Sequence, residues 1–171
     1  AEKMLALGSG LATIEEWYIS CGFVDKCIAY EMSPVAVELA RERIASKGLS
    51  HRLEMVCGDA LNAQIEDNHF DVVFVHAAIH HFFEIEEMYR LMHRVLKPGG
   101  LLIFNEYVGP DYLLFDEYIL NIMDEIDACL DDRYRFNELQ GKQRSGVGRL
   151  TLKQALEMDP SEGVHASEIL P

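Results

Sequence analysis

The sequence predicts an α/β protein built on a doubly wound, mainly parallel sheet. Short apolar segments typical of buried strands alternate with amphipathic segments of helical period along the first two thirds of the chain. No long antiparallel hairpin interrupts this alternation. Successive strands are therefore expected to run parallel, with helices covering both faces of the sheet.

The first strand, its turn and the following helix are predicted from one short stretch. Residues 4–7 form an apolar run that ends in Gly8-Ser9-Gly10. Two glycines one residue apart permit a sharp turn and let a ligand approach the backbone closely. Thr13 and Glu16 then have the spacing of a capping box, which predicts a helix over Thr13–Ser20. A Gly-x-Gly turn is common, so alone it leaves a plain turn and a cofactor site equally open.

The second predicted strand, Lys26–Glu31, ends in an acidic residue. Glu31 follows Gly10 by 21 positions. This spacing suits a carboxylate that binds the ribose hydroxyls of an adenosine cofactor.

Charge at the start of the first helix indicates which adenosine cofactor fits. A dinucleotide places its pyrophosphate at such a helix N-terminus, where Glu15 and Glu16 would repel it. Thr13 also replaces the third glycine of the dinucleotide motif. A cofactor with a sulfonium and no phosphate, S-adenosylmethionine, therefore fits better than NAD.

The second helix and third strand follow in order. Ser33-Pro34 predicts a helix start before an amphipathic run over 35–46. Residues 53–57 form the third strand, which leads into Gly58-Asp59-Ala60. Asp59 has two open interpretations, an ordinary turn aspartate or an acceptor for an adenine amino group.

The remaining core elements are predicted from longer apolar runs. Residues 70–76 form the fourth strand, residues 86–96 an amphipathic helix, and residues 101–107 the fifth strand after a turn at 97–100. Beyond them, apolar positions predict a helix over 112–130 with one apolar face. Thr151 and Gln154 have the spacing of a capping box that opens a short helix, and Asp159-Pro160-Ser161 predicts the start of another. We expect a core over 1–110 and a helical extension over 111–171 that packs on the same domain.

Composition limits the partners of the chain. Its 171 residues include 15 basic and 29 acidic ones, giving a formal charge of −14 that disfavours nucleic acid. No apolar run reaches the ~20 residues needed to cross a bilayer, and no signal peptide pattern is visible, so no membrane partner is expected. The four cysteines form neither a C-x-x-C pair nor a metal-ligand cluster, which favours reduced thiols in a cytoplasmic protein without a metal.

Taken together, residues 3–110 resemble the class I S-adenosylmethionine-dependent methyltransferases. Five segments in the family's order carry this resemblance: Leu7-Gly8-Ser9-Gly10, Glu31, Gly58-Asp59-Ala60, Phe70-Asp71-Val72-Val73-Phe74 and Leu96-Lys97-Pro98-Gly99-Gly100-Leu101. The resemblance implies a Rossmann-like sheet of strand order 3-2-1-4-5, with the family's usual last two strands absent from this chain. It also implies that S-adenosylmethionine, or its product S-adenosylhomocysteine, is bound by Leu7, Gly8, Ser9, Gly10, Glu31, Met32, Gly58, Asp59, Ala60 and His76.

Four further segments look like a bacterial small-molecule branch of that family, often associated with sugar or cell-surface biosynthesis. They are His76-Ala77-Ala78-Ile79-His80-His81, Asn105-Glu106-Tyr107-Val108-Gly109-Pro110, Asp159-Pro160-Ser161-Glu162 and Glu168-Ile169-Leu170-Pro171. One departure is Ala6, where the family usually has an acidic or polar residue that contacts the methionine amine of the cofactor.

A sulfonium is an activated methyl donor, so the protein mainly aligns the acceptor, and a general base is needed only if the acceptor must lose a proton. The candidate catalytic residues are His80, His81 and Glu106, with His76 as a further possible base. Two alternatives stay open: a module that binds S-adenosylmethionine without turnover and, less favoured, an NAD-dependent oxidoreductase. An exposed fifth-strand edge would also favour a homodimer.

Overall fold

A computed structural model describes residues 1–138, 141–144 and 146–170. Its main sheet has five parallel strands in the order β3-β2-β1-β4-β5. This confirms the predicted doubly wound class and its strand order. The strands are β1 (Lys3–Leu7), β2 (Lys26–Glu31), β3 (Leu53–Cys57), β4 (Phe70–His76) and β5 (Leu96–Asn105).

Helices cover the two faces of this sheet and create two separate cores. Helices α1 (Thr13–Ser20) and α2 (Pro34–Ser46) pack on one face, and α3 (Ile85–Val95) packs on the other. Because side chains alternate along a strand, Leu5 and Leu7 of β1 join the α3 core, while Met4 and Ala6 join the core of α1 and α2. This alternation fixes which residues at the strand ends share a face.

The sequence predicted a side-chain cap at the start of both α1 and α2, and the structure confirms only the cap of α2. Ser33 caps α2 by accepting a hydrogen bond from Ala36 N, with Pro34 at the first helical position. The capping box predicted for α1 is wrong. Ala12, in the left-handed region with φ 52°, is the cap residue and has no side-chain cap bond. Glu16 instead forms ion pairs with Arg43 of α2 and with Lys47, which caps the end of α2.

The fifth strand begins earlier than predicted. Leu96 pairs with Phe70, and the regular register resumes only where Leu101 pairs with Val72, so residues 97–100 bulge out of the strand. As an edge strand, β5 leaves Leu101 60% exposed. The homodimer expected from this open edge remains a prediction.

The helix predicted over 112–130 is shorter and starts later. Tyr112 and Leu113 both adopt positive φ, so a single 3-10 turn forms there and the chain cannot enter a helix. The helix α4 (Glu117–Ala128) begins at Asp116, whose carboxylate accepts from Ile119 N. Its predicted apolar face is largely exposed, with Ile126 59% accessible.

The rest of the extension is only partly helical. It contains α5 (Asp132–Arg135), an antiparallel pair β6 (Phe136–Asn137) and β7 (Lys142–Gln143), and α6 (Leu152–Met158), which has the predicted Thr151–Gln154 capping box. The short hairpin was not predicted. It is held by the buried carboxylate of Asp127, which pairs with Arg135 and Arg144.

The end of the described chain returns to the core. Ile169 is buried in the α3 core, and its carbonyl accepts from the Tyr89 hydroxyl at 2.9 Å. The helix expected to start at Asp159 does not form, since residues 160–165 make a series of turns. Val164 N donates to the His80 carbonyl at 3.0 Å, so these turns lie against the end of β4.

Within the described ranges, we find no helix that combines the length and apolar character required to span a bilayer.

Candidate active site

A cleft of about 600 Å³ opens at the carboxyl ends of β1, β2 and β3. Eight of the ten residues predicted to bind a cofactor line it, and Ser9 and His76 do not. His81, the one candidate catalytic residue in the lining, stands at its rim with Ser161. The eight lining residues are Leu7, Gly8, Gly10, Glu31, Met32, Gly58, Asp59 and Ala60.

The loop after β1 needs glycine at its first position for two reasons. Gly8 has φ 63°, and a Cβ built there would lie 2.5 Å from the Ala78 Cβ. Gly10 also has a positive φ, 51°, but its Cβ position has no non-neighbouring heavy atom within 4 Å among the described residues. Ser9 N donates to the Tyr30 carbonyl at 3.1 Å, which ties the loop to β2.

Glu31 is oriented by backbone amides on both sides. Its Oε2 accepts from Gly10 N at 2.8 Å and its Oε1 from Ser33 N at 2.8 Å. Each carboxylate oxygen has a second lone pair, so both retain capacity for a ligand hydroxyl. The glycine loop and the acidic strand end, predicted from spacing alone, are in direct contact.

Asp59 performs the turn role that was one of its two interpretations. Its Oδ1 accepts from Leu61 N at 2.9 Å and its Oδ2 from Asn62 Nδ2 at 2.6 Å, which caps a 3-10 turn at Ala60–Asn62. Asp59 also lines the cleft. Its second interpretation, as the acceptor for an adenine amino group, is compatible with this place and stays a prediction.

A buried carboxylate lies beside the glycine loop and was not identified as a site residue. Glu15 is only 4% exposed. Burial raises the pKa of its carboxyl, an effect that Ser9, His76 and Arg43 only partly offset. The Ser9 hydroxyl is buried next to it, but the contact falls short of hydrogen-bond geometry, so Ser9 Oγ is unpartnered among the described residues.

This geometry changes the argument against a dinucleotide. Glu16 is turned toward Arg43 and Lys47, and Glu15 is buried, so neither stands free at the helix start. Glu15 and Glu16 therefore do not form a pair of exposed carboxylates that would repel a pyrophosphate.

Replacing Glu15 with glutamine should raise the Tm at neutral pH. Since burial raises the native-state pKa above the unfolded value, the native state holds the proton more readily, and stability falls as pH rises through that native-state pKa. The variant lacks this loss, so its advantage should shrink as the pH is lowered from neutrality toward the ordinary pKa of a glutamate. Thermal unfolding checks this, with the exposed Glu38→Gln as control. A Tm difference independent of pH would contradict it.

His80 and Glu106 form a buried pair at the end of β4. Glu106 has a side chain with 0% exposure, and its Oε2 accepts from His80 Nδ1 at 2.7 Å. Its Oε1 accepts from Ala78 N at 2.7 Å and Ile79 N at 2.8 Å. With every strong interaction directed inward, Glu106 orients His80 and does not face the cleft.

His81 is more accessible and is oriented by the C-terminal turn. Its Nδ1 lies 3.1 Å from Ser161 Oγ, and the Ser161 hydroxyl donates to Asp159 Oδ1 at 2.7 Å. Ser161 holds the pKa of the Asp159 carboxyl below its ordinary value. Glu162, in the same turn, approaches the Nε2 atoms of His80 and His81 at 3.7 Å each.

Sequence reasoning missed Ser161 and Glu162 as site residues. They lie 80 or more positions from the histidines that they approach, and no local motif connects them. His76, predicted to touch the cofactor, is exposed on the α1 side of the sheet and stacks on Phe74.

Comparison with known proteins is consistent with this site. Residues 5–104 match the family described as "Methyltransferase domain". The ubiquinone/menaquinone biosynthesis C-methyltransferase UbiE of Ectopseudomonas mendocina is 28% identical over 126 residues, 71% of this chain and 49% of that protein. The sterol 24-C-methyltransferase erg6 of Aspergillus fumigatus is 38% identical over 82 residues, 48% of this chain and 20% of that protein.

A solved structure extends the comparison. The [4+2]-cyclase SpnF superposes with a TM-score of 0.60 at 28% identity, covering 65% of this chain and 40% of SpnF. The chain thus spans half or less of the length of these relatives.

Proposed function

We propose that this chain, which belongs to the methyltransferase domain family, transfers a methyl group from S-adenosylmethionine to a small-molecule acceptor. The observation that supports this most directly is the contact between Glu31 and Gly10 inside the cleft. It joins the two parts of an adenosine site, a loop that a ligand can approach closely and a carboxylate for its ribose.

The residues present fit S-adenosylmethionine. Glu31 has spare lone pairs for two ribose hydroxyls, Asp59 lies in the lining for the adenine, and Gly10 leaves open space above the loop. Ser9 Oγ, which has no hydrogen-bond partner within the described ranges, and the buried Glu15 carboxylate are polar groups beside the loop that suit the cationic amino-acid end of the ligand. Such a carboxylate would compensate for Ala6.

When bound, the cofactor supplies a methyl group on a sulfonium that needs no further activation. The protein then has to hold the acceptor in line and keep water away from it. Of the candidate residues, His81 reaches the cleft and is the one placed to touch an acceptor or take its proton. Glu106 and His80 are buried and do not line the cleft, so their role is to hold neighbouring groups in position.

The relatives and the net charge support a small-molecule acceptor. UbiE and erg6 are named for quinone biosynthesis and sterols, both small molecules. The formal charge of −14 disfavours nucleic acid as the acceptor. A sugar or cell-surface precursor, suggested by the narrower resemblance, is part of the same proposal.

The rival with a specific observation in its favour is binding of the cofactor without methyl transfer. SpnF, a structural neighbour, is named as a cyclase. Transfer of labelled methyl from S-adenosylmethionine to pools of candidate acceptors separates the two. Label in a small-molecule product supports the proposal. Calorimetric binding of S-adenosylmethionine without transfer to any pool favours the binding module, and binding of NAD alone would contradict both.

Replacing Glu31 with alanine should weaken S-adenosylhomocysteine binding by roughly 1.5–3 kcal/mol, the scale for losing hydrogen bonds to a charged group. This corresponds to a loss of about 10-fold to 150-fold in affinity. Calorimetry measures it, and Glu54→Ala, which removes an exposed strand glutamate outside the cleft, is the control. Unchanged affinity in Glu31→Ala would remove this residue from the site.

A further inference from the structure

We propose that His80, His81 and Glu162 form a binding site for a divalent transition-metal ion at the rim of the cleft. One ligand atom from each of these three side chains lies within 4.8 Å of the other two. The site combines two imidazoles and one carboxylate, a donor set that suits Zn²⁺, Fe²⁺ and related ions. The sequence predicted no metal, because Glu162 is far from the histidines along the chain.

The distances between Glu162 and the two histidines suit ligands of one common ion better than hydrogen bonds. Glu162 Oε1 lies 3.7 Å from His80 Nε2, and Glu162 Oε2 lies 3.7 Å from His81 Nε2. Both separations are too long for a hydrogen bond. Two ligands that each lie about 2.0–2.2 Å from one ion are separated by roughly 3–4 Å. The three side chains therefore need little movement to close on an ion.

Hydrogen bonds fix the ring nitrogen that each histidine presents. Glu106 Oε2 accepts from His80 Nδ1, so the proton is on Nδ1 and the Nε2 lone pair is free. The Ser161 hydroxyl donates to Asp159, so it can only accept from His81 Nδ1. His81 Nε2 is therefore also free. Metal-binding histidines are held this way, with the second nitrogen donating to a carboxylate or another acceptor.

The backbone holds the carboxylate opposite the two rings. Val164 N donates to the His80 carbonyl at 3.0 Å, which fixes the turn containing Glu162 against the residues after β4. His80 is 6% exposed, whereas the side chains of His81 and Glu162 are 34% and 39% exposed. The cluster is thus anchored on its inner side and accessible to an ion from solvent.

Three protein ligands leave coordination positions for other groups. Because His81 and Ser161 line the cleft, these positions are next to the space proposed for the acceptor. An acceptor oxygen bound there would be held and polarised beside the methyl donor. This role rests on the proposed function, whereas binding of the ion does not.

The test uses Zn²⁺ alone, titrated by calorimetry into the chelator-treated chain, and Co²⁺ followed by its visible absorption. We expect one site in the unsubstituted chain that is weakened at least about 100-fold in His81→Ala and in Glu162→Gln, since losing even an outer partner of a ligand costs about 10–100-fold. Both substituted side chains are partly exposed, so folding should persist, and thermal unfolding verifies it.

The control is His165→Ala. His165 is also partly exposed and also contacts a carboxylate, with Nδ1 at 3.0 Å from Glu168 Oε1, but it lies outside the cluster. Its replacement should leave Zn²⁺ affinity unchanged. No Zn²⁺ site in the unsubstituted chain, or equal affinity in His81→Ala and Glu162→Gln, would overturn the metal site. Neither result bears on binding of S-adenosylmethionine, which is measured separately.

Discussion

Replacing Gly8 with alanine is expected to destabilise the fold by about 2–5 kcal/mol, because two costs act together. The residue has φ 63°, which disfavours any side chain, and the new Cβ would lie 2.5 Å from the Ala78 Cβ. The left-handed conformation costs roughly 1–2 kcal/mol and overpacking roughly 1–3 kcal/mol. Relief would require the glycine loop to move away from the end of β4, which also reshapes the cleft lined by Gly8.

The control for this prediction is Gly10→Ala. Gly10 has a similar φ of 51°, but in the part of the chain that the structure describes no non-neighbouring atom lies within 4 Å of its Cβ position. It should therefore lose only about 1–2 kcal/mol, from backbone strain. Urea unfolding of both variants measures the difference. Equal losses would mean that the close approach of Gly8 to Ala78 does not constrain the loop.

The elements that could be predicted are those whose signal is local. Buried strands of a parallel sheet are continuous apolar runs, so the five strands were found from their own residues. The contact between Gly10 and Glu31 was also predictable, because Gly10 follows β1, Glu31 ends β2, and neighbouring parallel strands end at the same edge. Here sequence spacing translates directly into distance.

The errors occur where a distant partner decides the outcome. Glu16 has the local spacing of a capping box with Thr13, but Arg43 of α2 and Lys47, which caps the end of α2, provide opposite charges and pair with it instead. The start of α4 is delayed by positive φ at Tyr112, where the backbone amide donates to the Gly163 carbonyl at 3.0 Å. The helical periodicity of a sequence contains no information about such tertiary contacts.

The same reason explains what was missed at the site. His80, His81 and Glu106 were identified as chemically suitable residues at strand ends, which is a statement about residue type and place. Their different roles depend on burial and on the C-terminal turn, and both are properties of the folded chain. Sequence therefore predicts the part of the cleft at the ends of β1, β2 and β3 better than the part formed by His81 and the C-terminal turn.

Replacing Glu106 with alanine is expected to cost about 3 kcal/mol or more of unfolding free energy, at about 1–3 kcal/mol for each buried donor left without an acceptor. Three donors depend on this carboxylate: Ala78 N, Ile79 N and His80 Nδ1. The side chain has 0% exposure, so water cannot replace it without opening the core. Urea unfolding measures the loss, with the exposed α3 ion-pair residue as control: Glu86→Ala should change stability by less than about 1 kcal/mol.

The conservative variant separates stability from function at the same position. In Glu106→Gln, Oε1 can still accept from the two amides, but the amide nitrogen can only donate to His80 Nδ1. The proton of His80 then moves to Nε2, which removes the lone pair presented toward Glu162. We expect most of the stability to return while the Zn²⁺ affinity stays reduced. Even one lost buried hydrogen bond should cost about 1 kcal/mol or more. If the unfolding free energy of Glu106→Ala lies within about 1 kcal/mol of that of the unsubstituted chain, Glu106 does not hold the end of β4 in place.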